Sequence, residues 1–206
     1  MKQKMLITGG TKGLGLAIRE RFLNSYEVIT VGRNQSADLQ GDLASQNFIE
    51  QIFNSHPDVS VVINNAALLT QNFAISLDVN LRAMALISLK YYSTMTSGHI
   101  INIGSNAAHI EGIAYEHMGI ASTYYSMTKK CVKDFTLTLA DTHRNPGVKV
   151  TLLEPEFINA GMELPEDIEN SVELLDKNYL AGVIEWVLAQ PNEVEVTHLR
   201  LRNKRY

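Results

Sequence analysis

"ITGGTKGLG", residues 7–15, decides how the rest of the chain is read. It follows the apolar run "MLIT" (5–8) and leads into residues 14–23, where apolar side chains recur at helical spacing. A strand, a glycine-rich turn and a helix in that order suit a phosphate-bearing ligand. Gly9, Gly13 and Gly15 let the backbone turn tightly and approach a pyrophosphate, while the helix start offers unpaired N–H groups and a favourable dipole. The same alternation continues downstream. Runs at 27–32, 59–64, 99–104, 148–155 and 194–201 read as strands, with a shorter one within 37–42. Residues 44–54, 76–95, 122–143 and 173–189 read as helices. Strand–helix alternation predicts an α/β fold: a doubly wound, parallel, Rossmann-like sheet with helices on both faces.

At 206 residues the chain is expected to form one domain with a full core. The net charge of −4 argues against nucleic-acid and acidic-membrane partners, both of which call for a concentrated basic surface. One cysteine, Cys131, cannot form an internal disulfide, which fits a reducing compartment. The amino end lacks the apolar run of a signal peptide, and no stretch is long enough to span a membrane. The expected location is cytoplasmic.

The spacing in the loop, T-G-x-x-x-G-x-G, is one residue longer than the general dinucleotide fingerprint. Further short patterns follow in order: "NNAA" (64–67), Asn80 in "DVNL", Ser105 in "NIGSNAA" and "YSMTK" (125–129). Together they resemble the short-chain dehydrogenase/reductase family over roughly residues 5–200. The resemblance implies a nicotinamide cofactor, hydride transfer to or from a small carbonyl or alcohol substrate, and a homodimer or homotetramer built on the helices at 76–95 and 122–143.

Such chemistry needs a proton donor and acceptor. A phenol ordinarily titrates near 10, and a neighbouring ammonium favours its ionised form. Within "YYSMTKK" (124–130) the tyrosine–lysine pair at the four-residue spacing of a shared helix face is Tyr125 with Lys129. Tyr124 and Lys130 fall at other spacings and read as flank and surface. The resemblance then gives Ser105 the substrate oxygen, Lys129 the nicotinamide ribose as well, and Asn80 a water that relays protons to Lys129. A buried amide satisfying backbone groups in a helix bend accounts for Asn80 equally well.

The second strand ends in Arg33 and Asn34 with no carboxylate beside them. An arginine there suits a ribose phosphate, whereas a carboxylate would bind ribose hydroxyls and repel it. Lys12 and Thr11 in the loop add a cation and a hydroxyl, so NADP(H) is expected over NAD(H). By resemblance Asp42 and Leu43 contact the adenine, and Leu14, Asn65, Ala66, Ala67, Pro155 and Ile158 complete the cofactor site. Asp42 also reads as a helix N-cap. No metal ligand set is evident.

The pattern departs from the family at four places. Ala67 replaces a glycine, Glu156 stands where Pro-Gly would place its glycine, and Ala160 stands for a threonine that contacts the carboxamide. The twenty positions from Ser105 to Tyr125 form a longer gap than usual, with Tyr115 and His117 inside it. Residues 159–170 lose the apolar pattern and read as a mobile loop, either a lid or a plain connection. Glu156 and Ala160 also allow a second reading: a cofactor-binding sensor without turnover. Sugar-nucleotide epimerisation is disfavoured, because about fifty residues after Pro155 leave little room for a substrate domain.

Overall fold

The computed structural model describes residues 2–109, 119–142, 144–159 and 173–204. Seven parallel strands form one sheet in the order β3-β2-β1-β4-β5-β6-β9. They are β1 (Gln3–Thr8), β2 (Tyr26–Gly32), β3 (Leu39–Gln40), β4 (Val59–Asn64), β5 (Gly98–Ile103), β6 (Val148–Pro155) and β9 (His198–Leu201). A separate parallel pair, β7 (Ile158–Asn159) with β8 (Leu175–Asp176), lies just beyond β6 in the chain. The doubly wound fold expected from the alternation is the one observed.

Alternation along each strand sends successive side chains to opposite faces, and the core divides accordingly. Met5, Ile7, Val61, Ile63, Ile101 and Ile103 pack under α1 (Gly13–Phe22) and α6 (Lys177–Leu188). Leu6, Val62, Ile100 and Val150 pack under α2 (Gln46–Ser55), α4 (Met84–Thr94) and the end of α5 (Gly119–Asp141). Each large apolar side chain so buried stabilises the fold by roughly 1.5–3 kcal/mol relative to exposure. The order reverses direction between β1 and β4, so their carboxyl ends flank the switch point where such sheets bind ligands.

A buried polar chain ties the middle of the sheet to the helices that carry the site. Asn64 Nδ2 donates to Asn102 Oδ1 (2.8 Å) and Ser88 Oγ (3.0 Å), and Asn102 Nδ2 donates to Thr136 Oγ1 (3.0 Å). Ser88 belongs to α4 and Thr136 to α5, so sliding either helix would strand a buried amide.

Several boundaries differ from the sequence reading. The helix expected at 76–95 is α3 (Phe73–Leu77), a π-turn (Asp78–Ala83) and α4 in succession. The π-turn contains Asn80, whose amide is drawn toward a neighbouring loop. The last helix begins at Lys177 rather than 173, because Asp176 caps it by accepting from the N–H groups of Asn178 and Tyr179. Asp42 does not cap α2; Ser45 does, through Phe48 N, and Asp42 Oδ1 instead accepts from Ala44 N at 2.9 Å in a tight turn. The last strand is confined to residues 198–201, since 194–197 form no ladder of their own.

His99, buried on β5, faces Thr151 on β6 with Nε2 2.7 Å from Oγ1. Thr151 gives its own proton to Val196 O (2.6 Å), so it accepts from His99, which therefore carries its proton on Nε2. Burial pushes this imidazole down to about 4, with Lys149 adding repulsion. A base whose folded pKa is depressed stabilises the fold above its unfolded value, near 6.5, and that contribution disappears as pH falls toward 4. The loss expected from this one group is about 3 kcal/mol. His99→Gln, which can still donate but cannot titrate, should flatten the stability profile between pH 6.5 and 4 in urea-unfolding experiments; an unchanged slope would contradict this assignment.

Candidate active site

The glycine turn closes β1 and opens α1. Gly9 and Gly13 both sit at positive φ (70° and 53°), a region that strains other residues. Gly15 serves a different purpose from phosphate approach. A Cβ there would lie 2.1 Å from Gly9 O and 2.7 Å from Asn65 Nδ2, so only glycine lets α1 sit against its own loop. Lys12, the N-cap of α1, makes no side-chain cap, and the loop borders a cavity of about 770 Å³.

Across the switch point, Asn65 holds the loop from the other side. Its Nδ2 donates to Thr8 O (3.1 Å) and Gly9 O (3.2 Å), while Thr8 Oγ1 accepts from the N–H groups of Asn65 and Ala66. Thr8 is thus a site-shaping residue that the sequence reading passed over. Its signal was the threonine heading T-G-x-x-x-G-x-G.

The cavity brings together nearly every residue singled out from sequence. Gly9, Thr11, Lys12, Gly13 and Leu14 form one wall, with Arg33, Asn34, Asp42 and Leu43 at one end. Asn65, Ala66 and Ala67 form a second wall, and Ser105, Tyr125, Lys129, Pro155 and Ile158 surround the remaining part. Gly15 and Asn80 do not line it. Asn80 clamps the segment after Ala67: Oδ1 accepts from Leu68 N (2.7 Å), and Nδ2 donates to Leu68 O (2.8 Å) and lies 3.3 Å from Thr128 Oγ1. The buried-amide reading therefore describes the contacts of its side chain. Tyr115, His117, Ala160 and the 159–170 loop apart from Asn159 lie outside the described residues.

The residues fit a phosphorylated dinucleotide on structural grounds. The cradle at Gly9 and Gly13 has no side chains, and two exposed cations, Lys12 and Arg33, border the end of the cavity where Asp42 and Leu43 lie. A ribose phosphate held there would meet positive charge and no carboxylate from the end of β2.

Tyr125 and Lys129 lie in the early turns of α5, and Ser105 follows β5. Ser105 hydrogen-bonds Tyr125 and also accepts from Ala107 N at 3.1 Å. Burial pushes the Tyr125 phenol above its ordinary value of 10, and the Ser105 hydrogen bond acts in the opposite direction. The sequence reading expected Lys129 to lower it. Instead Lys129 Nζ lies 5.5 Å from the Tyr125 ring centroid and donates to Ile103 O at 2.7 Å. Lys129 is almost fully buried, which pushes its ammonium down to about 8, against the stabilising charge of Glu154.

Glu156 is not a loose charge at the cavity wall. Asn106 Nδ2 donates to its Oε1 (2.8 Å) and Asn203 N to its Oε2 (2.9 Å), while Arg200 Nε holds Asn106 Oδ1 at 2.8 Å. Asn203 further braces the chain beyond β6 through both backbone groups of Phe157. These partners lie about fifty or more residues away in sequence, so no local pattern announced them.

The sequence model of the family described as short chain dehydrogenase matches residues 3–170. Serine 3-dehydrogenase of Rhizobium radiobacter is 24% identical, with 98% of this chain and 94% of the relative aligned. NADP-dependent 3-hydroxy acid dehydrogenase YdfG of Escherichia coli K12 is 25% identical over 96% of this chain and 93% of its own. Among solved structures, the closed form of serine dehydrogenase complexed with NADP+ superposes with a TM-score of 0.81 at 25% identity, covering 97% of this chain and 94% of that one.

Burying a charged Lys129 has a stability consequence. A shift from 10.5 to about 8 corresponds to a penalty of about 3 kcal/mol at pH 7. Because a depressed base binds fewer protons folded than unfolded, the penalty fades as pH rises from 8 to above 10.5. Lys129→Met removes it, at a cost of roughly 1 kcal/mol for the lost bond to Ile103 O. The variant should be more stable than the parent by about 1–2 kcal/mol at pH 7, with the advantage shrinking at pH 9.5. Denaturant unfolding at both pH values checks this; a variant less stable at pH 7 would refute it.

Proposed function

Because the chain belongs to the short-chain dehydrogenase family, we propose that it is an NADP(H)-dependent oxidoreductase acting on a small carbonyl or alcohol, with Tyr125 as general acid and base. The observation that carries this reading is the one cavity lined both by Lys12 and Arg33 and by the Ser105–Tyr125–Lys129 cluster. NADP(H), when bound, supplies or accepts the hydride.

The chain's own residues handle binding and the proton. Gly9 and Gly13 admit the pyrophosphate, Arg33 and Lys12 neutralise the ribose phosphate, and Asp42 and Leu43 border the adenine. Ser105 hydrogen-bonds the substrate oxygen and orients it toward Tyr125. With its pKa raised, Tyr125 holds its proton at neutral pH and is in the state needed to donate to a nascent alkoxide. Lys129 supplies positive charge next to the phenol ring and replenishes the proton. Asn80 positions Lys129 indirectly, because its amide donates to Thr128, the residue just before Lys129 on α5. A relay water at Asn80 belongs to the same proposal.

The relatives named for serine and 3-hydroxy acids make the corresponding carbonyl compounds the first substrates to try. One domain carries both sites in this reading, in a homodimer or homotetramer. Leu89 on α4, Phe73 and Ile75 on α3 and Ile120 on α5 expose large apolar surface on the helices expected to pair. A cytoplasmic location is part of the proposal; no described helix is long and apolar enough to cross a membrane.

Tyr125→Phe removes the proton and little else. Turnover should fall by at least roughly 10²-fold with NADPH and a carbonyl substrate, with NADPH affinity within a few-fold of the parent. Steady-state kinetics together with fluorescence titration check this, and undiminished turnover would refute the role of Tyr125.

A further inference from the structure

Outside the lining of the cofactor cavity, three side chains from distant parts of the chain converge. Glu154 lies on β6 and is fully buried. His109 ends the short 3₁₀ turn Asn106–His109, and His198 opens β9. Both histidines place Nε2 at 2.6 Å from the same oxygen, Glu154 Oε2. Their rings stack nearly parallel, with centroids 6.3 Å apart and planes 12° apart. All three ligand-capable atoms lie within 4.8 Å of one another.

Two further observations point to a ligand. The other carboxylate oxygen, Oε1, is buried and has no hydrogen-bond partner among the described residues. A buried carboxylate oxygen without a hydrogen-bond partner is expensive, and Lys129, the buried cation nearby, acts on Glu154 only through space. The space for this carboxylate is also built in: a Cβ on Gly104 would lie 2.7 Å from Glu154 Cγ and 3.4 Å from Oε1. The residue between Ile103 and Ser105 must therefore be small for Glu154 to sit there.

We propose that His109, Glu154 and His198 form a binding site for a divalent first-row metal ion. Two imidazoles and one carboxylate are a donor set that Zn2+ accepts, and a solvent ligand completes four-coordination. The geometry needs only a small adjustment. Ligands at about 2.0–2.1 Å around a tetrahedral ion stand roughly 3.3 Å apart, so each histidine must retreat from Glu154 Oε2 by under 1 Å while the two Nε2 atoms, now within 4.8 Å, draw together around the ion. Both can, because their side chains keep 22% and 32% of their exposure while Glu154 keeps none. The histidine side also provides the entry path. Imidazole donors discriminate against Mg2+, which prefers an all-oxygen octahedron.

The test uses the full chain without a polyhistidine tag, freed of metal by a chelator and titrated calorimetrically with Zn2+ and with Mg2+. One Zn2+ per chain and no saturable Mg2+ binding are expected. His109→Gln and His198→Gln should each weaken Zn2+ by roughly tenfold or more, while Cys131→Ser, at an exposed residue outside the cluster, should leave it unchanged. At the same Zn2+ concentration the rise in unfolding temperature should be smaller in either histidine variant than in the parent. Should a substitution impair folding, the parent loaded with Co2+ decides: visible bands of a four-coordinate ion without a sulfur charge-transfer band support the site. Absence of saturable Zn2+ binding, binding that survives both histidine substitutions, or a sulfur band would overturn the proposal.

Discussion

The contact on which the site depends is the close approach of Gly15 to the carbonyl of Gly9, with the Asn65 amide wedged against both. At the reversal of strand order the chains leaving the paired ends of β1 and β4 turn to opposite faces of the sheet, which would leave two loops free to move independently. Asn65 joins them by donating to Thr8 O and Gly9 O, and Thr8 returns the tie through its hydroxyl. The turn is thus held from three directions before any ligand arrives. Preorganisation of this kind is where a loop's binding strength comes from, since ordering costs are met during folding. A methyl group at residue 15 would push α1 off the loop, and the cradle would open.

A second layer of polar contacts carries this precision to Tyr125 and Lys129. The Asn64–Asn102 chain fixes α4 and α5 on the sheet, and the Asn80 amide stitches the segment after Ala67 to α5. Lys129 is consequently held where burial disfavours its charge, with Ile103 O and Glu154 as compensation. Stability is sacrificed here for a buried cation that lines the cavity, a trade that active sites commonly show. The Asn106–Glu156–Asn203 network, with Arg200 behind it, does the opposite. It neutralises a departure from the family pattern by turning Glu156 into a brace for the chain beyond β6.

What could be read from sequence was what is local. The glycine turn, the strand–helix alternation and the Tyr125–Lys129 spacing each depend on a few neighbouring residues, and each lies where expected. The π-turn at Asp78–Ala83 was not legible, because it arises from Asn80 reaching twelve residues back to Leu68. Nor was the raised phenol of Tyr125, since helix spacing places Lys129 on the same face without directing its ammonium, which Ile103 O claims. Glu156 read as a disturbance because its partners come from residues 106 and 203. The His109–Glu154–His198 cluster joins three segments that only the fold brings together.

The central claim is that one preformed cavity receives a phosphorylated dinucleotide with its reactive end at Tyr125. Calorimetric titration of the purified protein with NADPH and, separately, NADH tests it most directly. The account predicts one site per chain and NADPH binding at least about tenfold tighter, a difference of about 1.4 kcal/mol from Arg33 and Lys12 acting on the ribose phosphate. Equal affinities, tighter NADH, or no binding of either would contradict it.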